Sequence, residues 1–171
     1  MTKFMIIGTG GVGGYFGAKL LNAGFDVSFI ATQKSAEIIK QNGLKVKSPF
    51  GDMEFKEVKV SSDYSSVKDC DIVFLCTKSQ NTQEIAEGIK LYFKETAIIV
   101  SLQNGIENEE ILSEILGKKR VIPAQVYISV ASPKAGIVEH GGSGEIVIGE
   151  LDNKTTQRLE ELQKQIGRAH V

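Results

Sequence analysis

Apolar positions in this chain fall in short runs with two alternating periods. Residues 3–7 hold the run Phe4-Met5-Ile6-Ile7, which stops at Gly8 and is too short for a helix, so it predicts a buried strand of parallel type. Over residues 12–23 the positions Val12, Tyr15, Phe16, Leu20 and Leu21 recur at helical spacing, and Asn22-Ala23-Gly24 supplies a stop. A second strand over residues 26–30 and a short helix over 35–41, closed by Asn42-Gly43, complete a β-α-β-α opening. Residues 44–47 and 54–60 alternate apolar and polar around Pro49-Phe50-Gly51-Asp52, which predicts a hairpin at a sheet edge. The parallel rhythm then resumes, with strand 71–76, amphipathic helix 82–93, strand 97–102 and helix 107–116 ending at Gly117. Strands follow over 121–130, 137–140 and 145–148, and a last amphipathic helix over 155–166. Strand alternating with helix predicts an α/β fold: a doubly wound, mostly parallel sheet with helices on both faces and right-handed crossovers.

Composition narrows what such a fold can do. With 171 residues, 42% hydrophobic and 24% charged, the chain suffices for one core without a metal or disulfide staple. Twenty basic against twenty-one acidic residues leave a net charge of -1, which offers no broad attraction for nucleic acid or for an anionic membrane surface. No apolar run approaches the ~18 residues of a membrane span. The start, Met1-Thr2-Lys3, has no small-residue cleavage site, so a cytoplasmic location is expected. Cys70 and Cys76 flank an apolar run without the second pair a zinc site needs, which predicts reduced core thiols and no bound metal. Lys118-Lys119-Arg120 is the longest charge block and reads as the solvated face of a helix-to-strand loop.

Glycine departs from the average, at 18 of 171 residues against a usual ~7%. Gly8-Thr9-Gly10-Gly11-Val12-Gly13 matches G-x-G-x-x-G between the first strand and the first helix, the context in which this motif binds a dinucleotide. Gly8 allows the tight turn, Gly10 lets backbone approach a pyrophosphate, Gly13 lets helix pack on strand, and the free N–H groups of the helix start face the phosphates. The end of the second strand selects the cofactor, and an NAD-binding fold usually places an acid there for the ribose diol. This chain has Ala31-Thr32-Gln33-Lys34. No carboxylate repels a 2'-phosphate, and Thr32, Gln33 and Lys34 offer hydrogen bonds or charge to it, so NADP is favoured over NAD.

Ligands of open α/β sheets lie beyond the carboxyl ends of the strands. The first polar residues there are Thr77 and Lys78, then Gln103-Asn104-Gly105, then Ser132 after Ala131. His140, beside Gly141-Gly142, reads as a loop or strand-end histidine, and no acid or nucleophile spacing makes it catalytic.

Together these residues resemble the N-terminal domain of the ketopantoate reductases (2-dehydropantoate 2-reductases) over about residues 3–166. The resemblance rests on Gly8-Thr9-Gly10-Gly11-Val12-Gly13-Gly14-Tyr15-Phe16-Gly17, Lys78-Ser79-Gln80, Gln103-Asn104-Gly105, His140-Gly141 and Ile148-Gly149-Glu150. It implies an NADPH-dependent reduction of a small 2-keto acid, 2-dehydropantoate, to pantoate for pantothenate synthesis. Gly8, Thr9, Gly10, Gly11, Val12 and Gly13 would hold the pyrophosphate. Lys78 and Asn104 would contact the nicotinamide-side ribose, with Asn104 also facing substrate, and Val130 would offer a backbone contact to the nicotinamide. Two departures accompany it: Lys78-Ser79-Gln80-Asn81 carries its glutamine one place early, and Thr32 stands where many members have an arginine for the 2'-phosphate. The family's catalytic lysine lies in a second, helical domain, so this chain is expected to carry no catalytic residue and to bind cofactor with poor turnover. Residues 167–171, Gly-Arg-Ala-His-Val, read as an altered or vector-derived tail, and self-association stays open. The rival reading, a nucleotide-sensing module of a transport system, usually has the acid after the second strand that this chain lacks.

Overall fold

The computed structural model describes residues 1–152 and 154–168. In chain order the elements are β1 (Lys3–Ile7), α1 (Gly11–Asn22), β2 (Asp26–Ile30), α2 (Gln33–Asn42), β3 (Leu44–Lys47), β4 (Met53–Phe55), β5 (Lys59–Ser61), β6 (Ile72–Leu75), α3 (Thr82–Lys90), β7 (Ile98–Ser101), α4 (Asn108–Leu116), β8 (Val121–Lys134), β9 (Ile137–Ile148) and α5 (Gln157–Arg168). Short 3-10 turns at Tyr64–Asp69, Ser79–Asn81 and Lys118–Arg120 link them. The strands form one sheet in the order β4-β3-β9-β8-β7-β6-β1-β2-β5. From β8 to β5 every neighbouring pair is parallel. At the other side β9 runs antiparallel to β8, and β3 parallel to β9.

Period-two alternation explains the two layers. On β1, Phe4 and Ile6 join the core beneath α1, α2 and α5, whereas Met5 and Ile7 join the core beneath α3 and α4. All four residues of β6 are buried, as expected of a central strand covered on both faces. Phe4 meets Phe25 and Phe74 edge to face at 5.2 and 5.7 Å, knitting β1 to β6 and to the chain entering β2. This is the doubly wound Rossmann-type sheet expected from the sequence.

Four expectations need correction. The expected hairpin of residues 44–47 with 54–60 holds only for its first half: β4 pairs with β3, but β5 crosses to the opposite edge and pairs parallel with β2. The break falls where two polar residues, Lys56-Glu57, shift the phase of alternation from Phe55 to Val58 and Val60. The two short strands expected at 137–140 and 145–148 are one strand, β9, running through the glycines between them. Those glycines mark close packing rather than a loop, for a Cβ on Gly141 would lie 2.9 Å from Ser129 Oγ and one on Gly144 3.0 Å from the Tyr15 ring. Helix α3 stops at Lys90, short of residue 93: the Tyr92 and Phe93 N–H groups both donate to the Ile89 carbonyl at 2.9 Å, closing the last turn with Phe93 still buried. The last helix starts two residues later than expected because the Thr156 hydroxyl accepts the Leu159 N–H, and it takes in positions 167 and 168 of the expected tail. The rest of that tail, residues 169–171, lies outside the described residues.

The α5 segment is tied to the sheet through Glu150. Its carboxylate accepts hydrogen bonds from Thr156 Oγ1 at 2.5 Å, from Arg158 Nε at 2.7 Å and from a second Arg158 nitrogen. The same guanidinium donates to the Lys119 carbonyl. Arg158 holds the Glu150 carboxyl below the ordinary glutamate range against the opposing effect of burial, and Thr156 helps. Because the folded value lies below the unfolded one of about 4.3, the stabilisation is complete above that pH and is lost as pH falls through the folded value. Melting temperature followed from pH 6 to pH 3 should fall more steeply in the wild-type chain than in Glu150→Gln, and equal slopes would refute the tether.

Candidate functional site

A cleft of about 750 Å³ opens where the carboxyl ends of β1 and β2 meet the loop after β6. Strand order reverses there, with β6 and β2 on opposite sides of β1, the place where a doubly wound sheet leaves a crevice between loops that part company. Backbone bonds draw the walls together: Gly8 N–H donates to Ile30 O and Cys76 N–H to Ile7 O, both at 2.8 Å. The lining comes from Gly8, Thr9 and Gly10, from Thr32, Gln33 and Ser35, from Ser62 and Tyr64, from Thr77, Asn81 and Glu84, and from Ser132, Lys134 and Ala135.

The glycine turn is built by two close approaches. Gly8 has φ +101°, a conformation that favours glycine, and a Cβ on it would lie 2.9 Å from Thr77 Cγ2. A Cβ on Gly13 would lie 1.9 Å from the Gly8 carbonyl oxygen, so α1 sits against the turn at a distance no side chain allows. Gly10, by contrast, has no atom within 4 Å of its Cβ direction and is exposed, which leaves its backbone bare to the cleft. It occupies the N-cap of α1 without any side-chain cap, and the first turn carries no acid. The N–H groups of that turn are therefore available to an anion, and the partial positive charge of the helix start favours one. These features fit a dinucleotide pyrophosphate laid across Gly8 to Gly10.

Polar groups at the end of β2 are already engaged. Thr32 Oγ1 accepts the Ser35 N–H at 3.3 Å and donates to Ser35 Oγ at 3.0 Å, capping α2. The Gln33 amide donates to Glu37 at 2.6 Å and accepts from Ser62 Oγ at 2.5 Å. The hydroxyl proton of Ser35 is thus the uncommitted donor beside Thr32. Tyr64 closes this end, its phenol pushed up first by burial and then by the charge of Glu84.

A second polar cluster fastens the loops after β6 and β7. Gln103 donates to the Thr77 carbonyl at 3.1 Å and to Thr77 Oγ1 at 3.3 Å, while its own carbonyl accepts from Ser101 Oγ at 3.3 Å. Thr82 Oγ1, fully buried, donates to Asn108 Oδ1 at 2.8 Å, and Asn108 Nδ2 donates to the Asn104 carbonyl at 3.1 Å. Asn108 is 2% exposed, so the Asn104 loop is pinned from inside the protein.

Of the residues singled out from the sequence, Gly8, Thr9, Gly10, Thr32 and Gln33 line the cleft, as do Thr77 after β6 and Ser132, which lies within β8 because that strand runs past the expected end at 130 to Lys134. Gly11, Val12 and Gly13 lie behind that surface; a Cβ on Gly11 would be 3.1 Å from Val130 Cγ1, so Val130 packs over the start of α1. Lys34 is exposed on the first turn of α2 and outside the lining. Lys78 and Asn104 are exposed at the ends of the β6 and β7 loops, also outside it. The sequence reading missed Ser35, Ser62, Tyr64, Asn81, Glu84, Lys134 and Ala135. Of the two expected core thiols, Cys70 is buried and Cys76 half-buried against the core, and burial pushes the Cys70 thiol up to about 11 and that of Cys76 well beyond the ordinary range. His140 is buried, stacked on Tyr15 at 4.1 Å, and joined to Ser48 Oγ and the Ser143 carbonyl. That carbonyl only accepts, so His140 Nε2 carries the proton and the ring serves packing. Among the described residues no His, Cys, Asp and Glu cluster could hold a metal, and no helix is long and apolar enough to cross a membrane.

Comparison with known proteins agrees with this geometry. The family described as "Ketopantoate reductase PanE/ApbA" matches residues 4–153. A 2-dehydropantoate 2-reductase of Nostoc is 34% identical over 148 residues, covering 86% of this chain and 46% of that protein. An uncharacterized oxidoreductase of Bacillus subtilis is 30% identical over 163 residues, covering 95% of this chain and 53% of its own. The crystal structure of 2-dehydropantoate 2-reductase from Geobacter metallireducens superposes with a TM-score of 0.92 at 34% identity, over 99% of this chain and 56% of that one. The ternary structure of D-mandelate dehydrogenase with NADH and anilino(oxo)acetate, at 23% identity and a TM-score of 0.88, shares the fold. The chain spans about half the length of the curated relatives it matches. With a glycine cradle at the strand-order reversal and a family match over residues 4–153, this chain belongs to the ketopantoate reductase family.

Proposed function

We propose that this chain is the cofactor-binding half of an NADPH-dependent reductase that converts 2-dehydropantoate to pantoate. The observation that carries the reading is the cradle at the end of β1, where Gly13 admits no side chain and Gly10 presents bare backbone to the cleft. The bound cofactor would supply a hydride to the keto carbon. The residues of this chain bind and orient. Gly8, Thr9 and Gly10 take the pyrophosphate, and Gly11 to Gly13 hold α1 in position behind them. Thr32 and Ser35 receive the ribose end, with the charge of Lys34 nearby in solvent. Val130 and Ser132, over the start of α1, offer backbone on the nicotinamide side. Lys78 and Asn104 project from the β6 and β7 loops, with Asn104 facing substrate, and the Gln103 and Asn108 amides keep those loops in register.

Reduction of a ketone also needs a donor where the oxygen becomes negative; without one the barrier rises by several kcal/mol. No acid among the residues assigned here fills that role. It is assigned to the half of the relatives' length that this chain does not match. Titration with NADPH by fluorescence is expected to show binding by the 171-residue chain. NADPH oxidation at 340 nm with 2-dehydropantoate is expected to be negligible for the chain alone and to appear when it is joined to a relative's remaining half. Absence of oxidation in the joined protein with any branched 2-keto acid would overturn the reading.

A further inference from the structure

One lysine in the cleft has no part in the scheme above. Lys134 ends β8, thirteen residues after the strand begins, and lines the cleft. Among the described lining residues it is the one cation, and Glu84 the one anion. It takes part in none of the ion pairs formed by the described residues.

Its root is held firmly. Ser132 Oγ donates to the Lys134 carbonyl at 3.2 Å, and Lys134 pairs with Ile137 across the β8–β9 turn. That turn leans on α2: Lys45 N–H donates to the Gly136 carbonyl at 2.8 Å, and a Cβ on Gly136 would lie 2.7 Å from Gly43 O and 3.5 Å from Ile39 Cγ1. Thr32, Gln33 and Ser35, at the start of the same helix, share the cleft lining with Lys134. The end of β2 offers no cation to the cleft, for Thr32 is neutral and caps α2, the Gln33 amide is engaged at both ends, and Lys34 lies outside the lining.

We propose that Lys134 reads the 2'-phosphate of the cofactor, reaching across the cleft to supply the charge that the end of β2 lacks. The proposal rests on the dinucleotide reading above. A doubly charged phosphate in a partly dry cleft needs a cation, and a lysine held at its root, with no carboxylate partner to give up, meets that need. The uncapped start of α1 already serves a pyrophosphate beside Gly10, whereas the end of β2 brings no charge of its own to the cleft, which favours the 2'-phosphate beside Thr32.

Equilibrium titrations of the wild-type chain, Lys134→Gln, Lys134→Arg and Lys34→Gln with NADPH and with NADH test it. Lys134→Gln should weaken NADPH at least tenfold, about 1.4 kcal/mol, and leave NADH within twofold. Lys134→Arg should restore most of the NADPH affinity, and Lys34→Gln, outside the lining, should weaken NADPH less than Lys134→Gln does. Since Lys134 is exposed, its thermal melt should match the wild type. Equal losses for both cofactors, or no loss for either, would overturn the role of Lys134 while leaving the dinucleotide reading intact. A wild-type chain that binds neither cofactor would overturn both.

Discussion

Gly13→Ala is expected to cost the fold about 3 to 5 kcal/mol and to abolish NADPH binding with it. The added methyl would meet the Gly8 carbonyl oxygen at 1.9 Å, and the obstacle is backbone, which no rotamer change can clear. Either α1 moves away from β1, exposing part of the layer formed by Phe4, Ile6, Tyr15 and Phe16, or the Gly8 turn opens and breaks its bond to Ile30. Both outcomes dismantle the cradle. Gly10→Ala is the control. Its methyl would meet nothing within 4 Å, and the N-cap torsions of φ -72° and ψ -164° suit alanine, so stability should stay within about 1 kcal/mol of wild type. The same methyl would stand between backbone and pyrophosphate, so NADPH affinity should still fall sharply. Urea denaturation and NADPH titration of the pair separate the two effects. A Gly13→Ala chain as stable as wild type would show that the approach of α1 to the turn is not needed.

Asn108→Ala is expected to cost about 2 to 3 kcal/mol, a large effect for one side chain on a nine-residue helix. Asn108 is buried and joins two groups that have few alternatives. Thr82 Oγ1 would keep only its longer bond, 3.2 Å to Gln103, and the Asn104 carbonyl would lose its side-chain donor. The loop holding Asn104 and Gly105, the latter at φ +116°, would then be free to open, whereas the parallel strands beneath it would not. Hydrogen exchange should accelerate over residues 103–108 with little change in β6 and β7. Uniform acceleration through those strands would mean that Asn108 supports the core generally and not this loop.

The parts of the site written in consecutive residues were legible beforehand. Gly8 to Gly13 is a local pattern, because the strand end, the turn and the helix start are adjacent in sequence and each glycine answers a constraint set within that span. The same holds for the buried runs of β1, β6 and β7, whose periods declare their burial. Even the lost half of the expected hairpin left a mark, in the phase slip at Lys56-Glu57. Lys134, Ser62 and Tyr64 left none, since nothing within a few residues of them says that they share a cleft with the start of α2. Lys34 misled for the matching reason: proximity in sequence to the β2 end suggested proximity in space, and the helix turned it outward.

Taken alone, the amino-acid sequence determined a doubly wound α/β sheet, a tight glycine turn between its first strand and helix, and the absence of an acid after β2, all properties of residues close together along the chain. Tertiary structure alone decided that β5 joins the far edge, that β9 runs unbroken through its glycines, that Gln103 and Asn108 lock the β6 and β7 loops, and that the one cation among the described cleft-lining residues is Lys134. Each of these depends on contacts between residues distant in sequence, and those are settled by how whole elements pack, not by the preferences of any one segment.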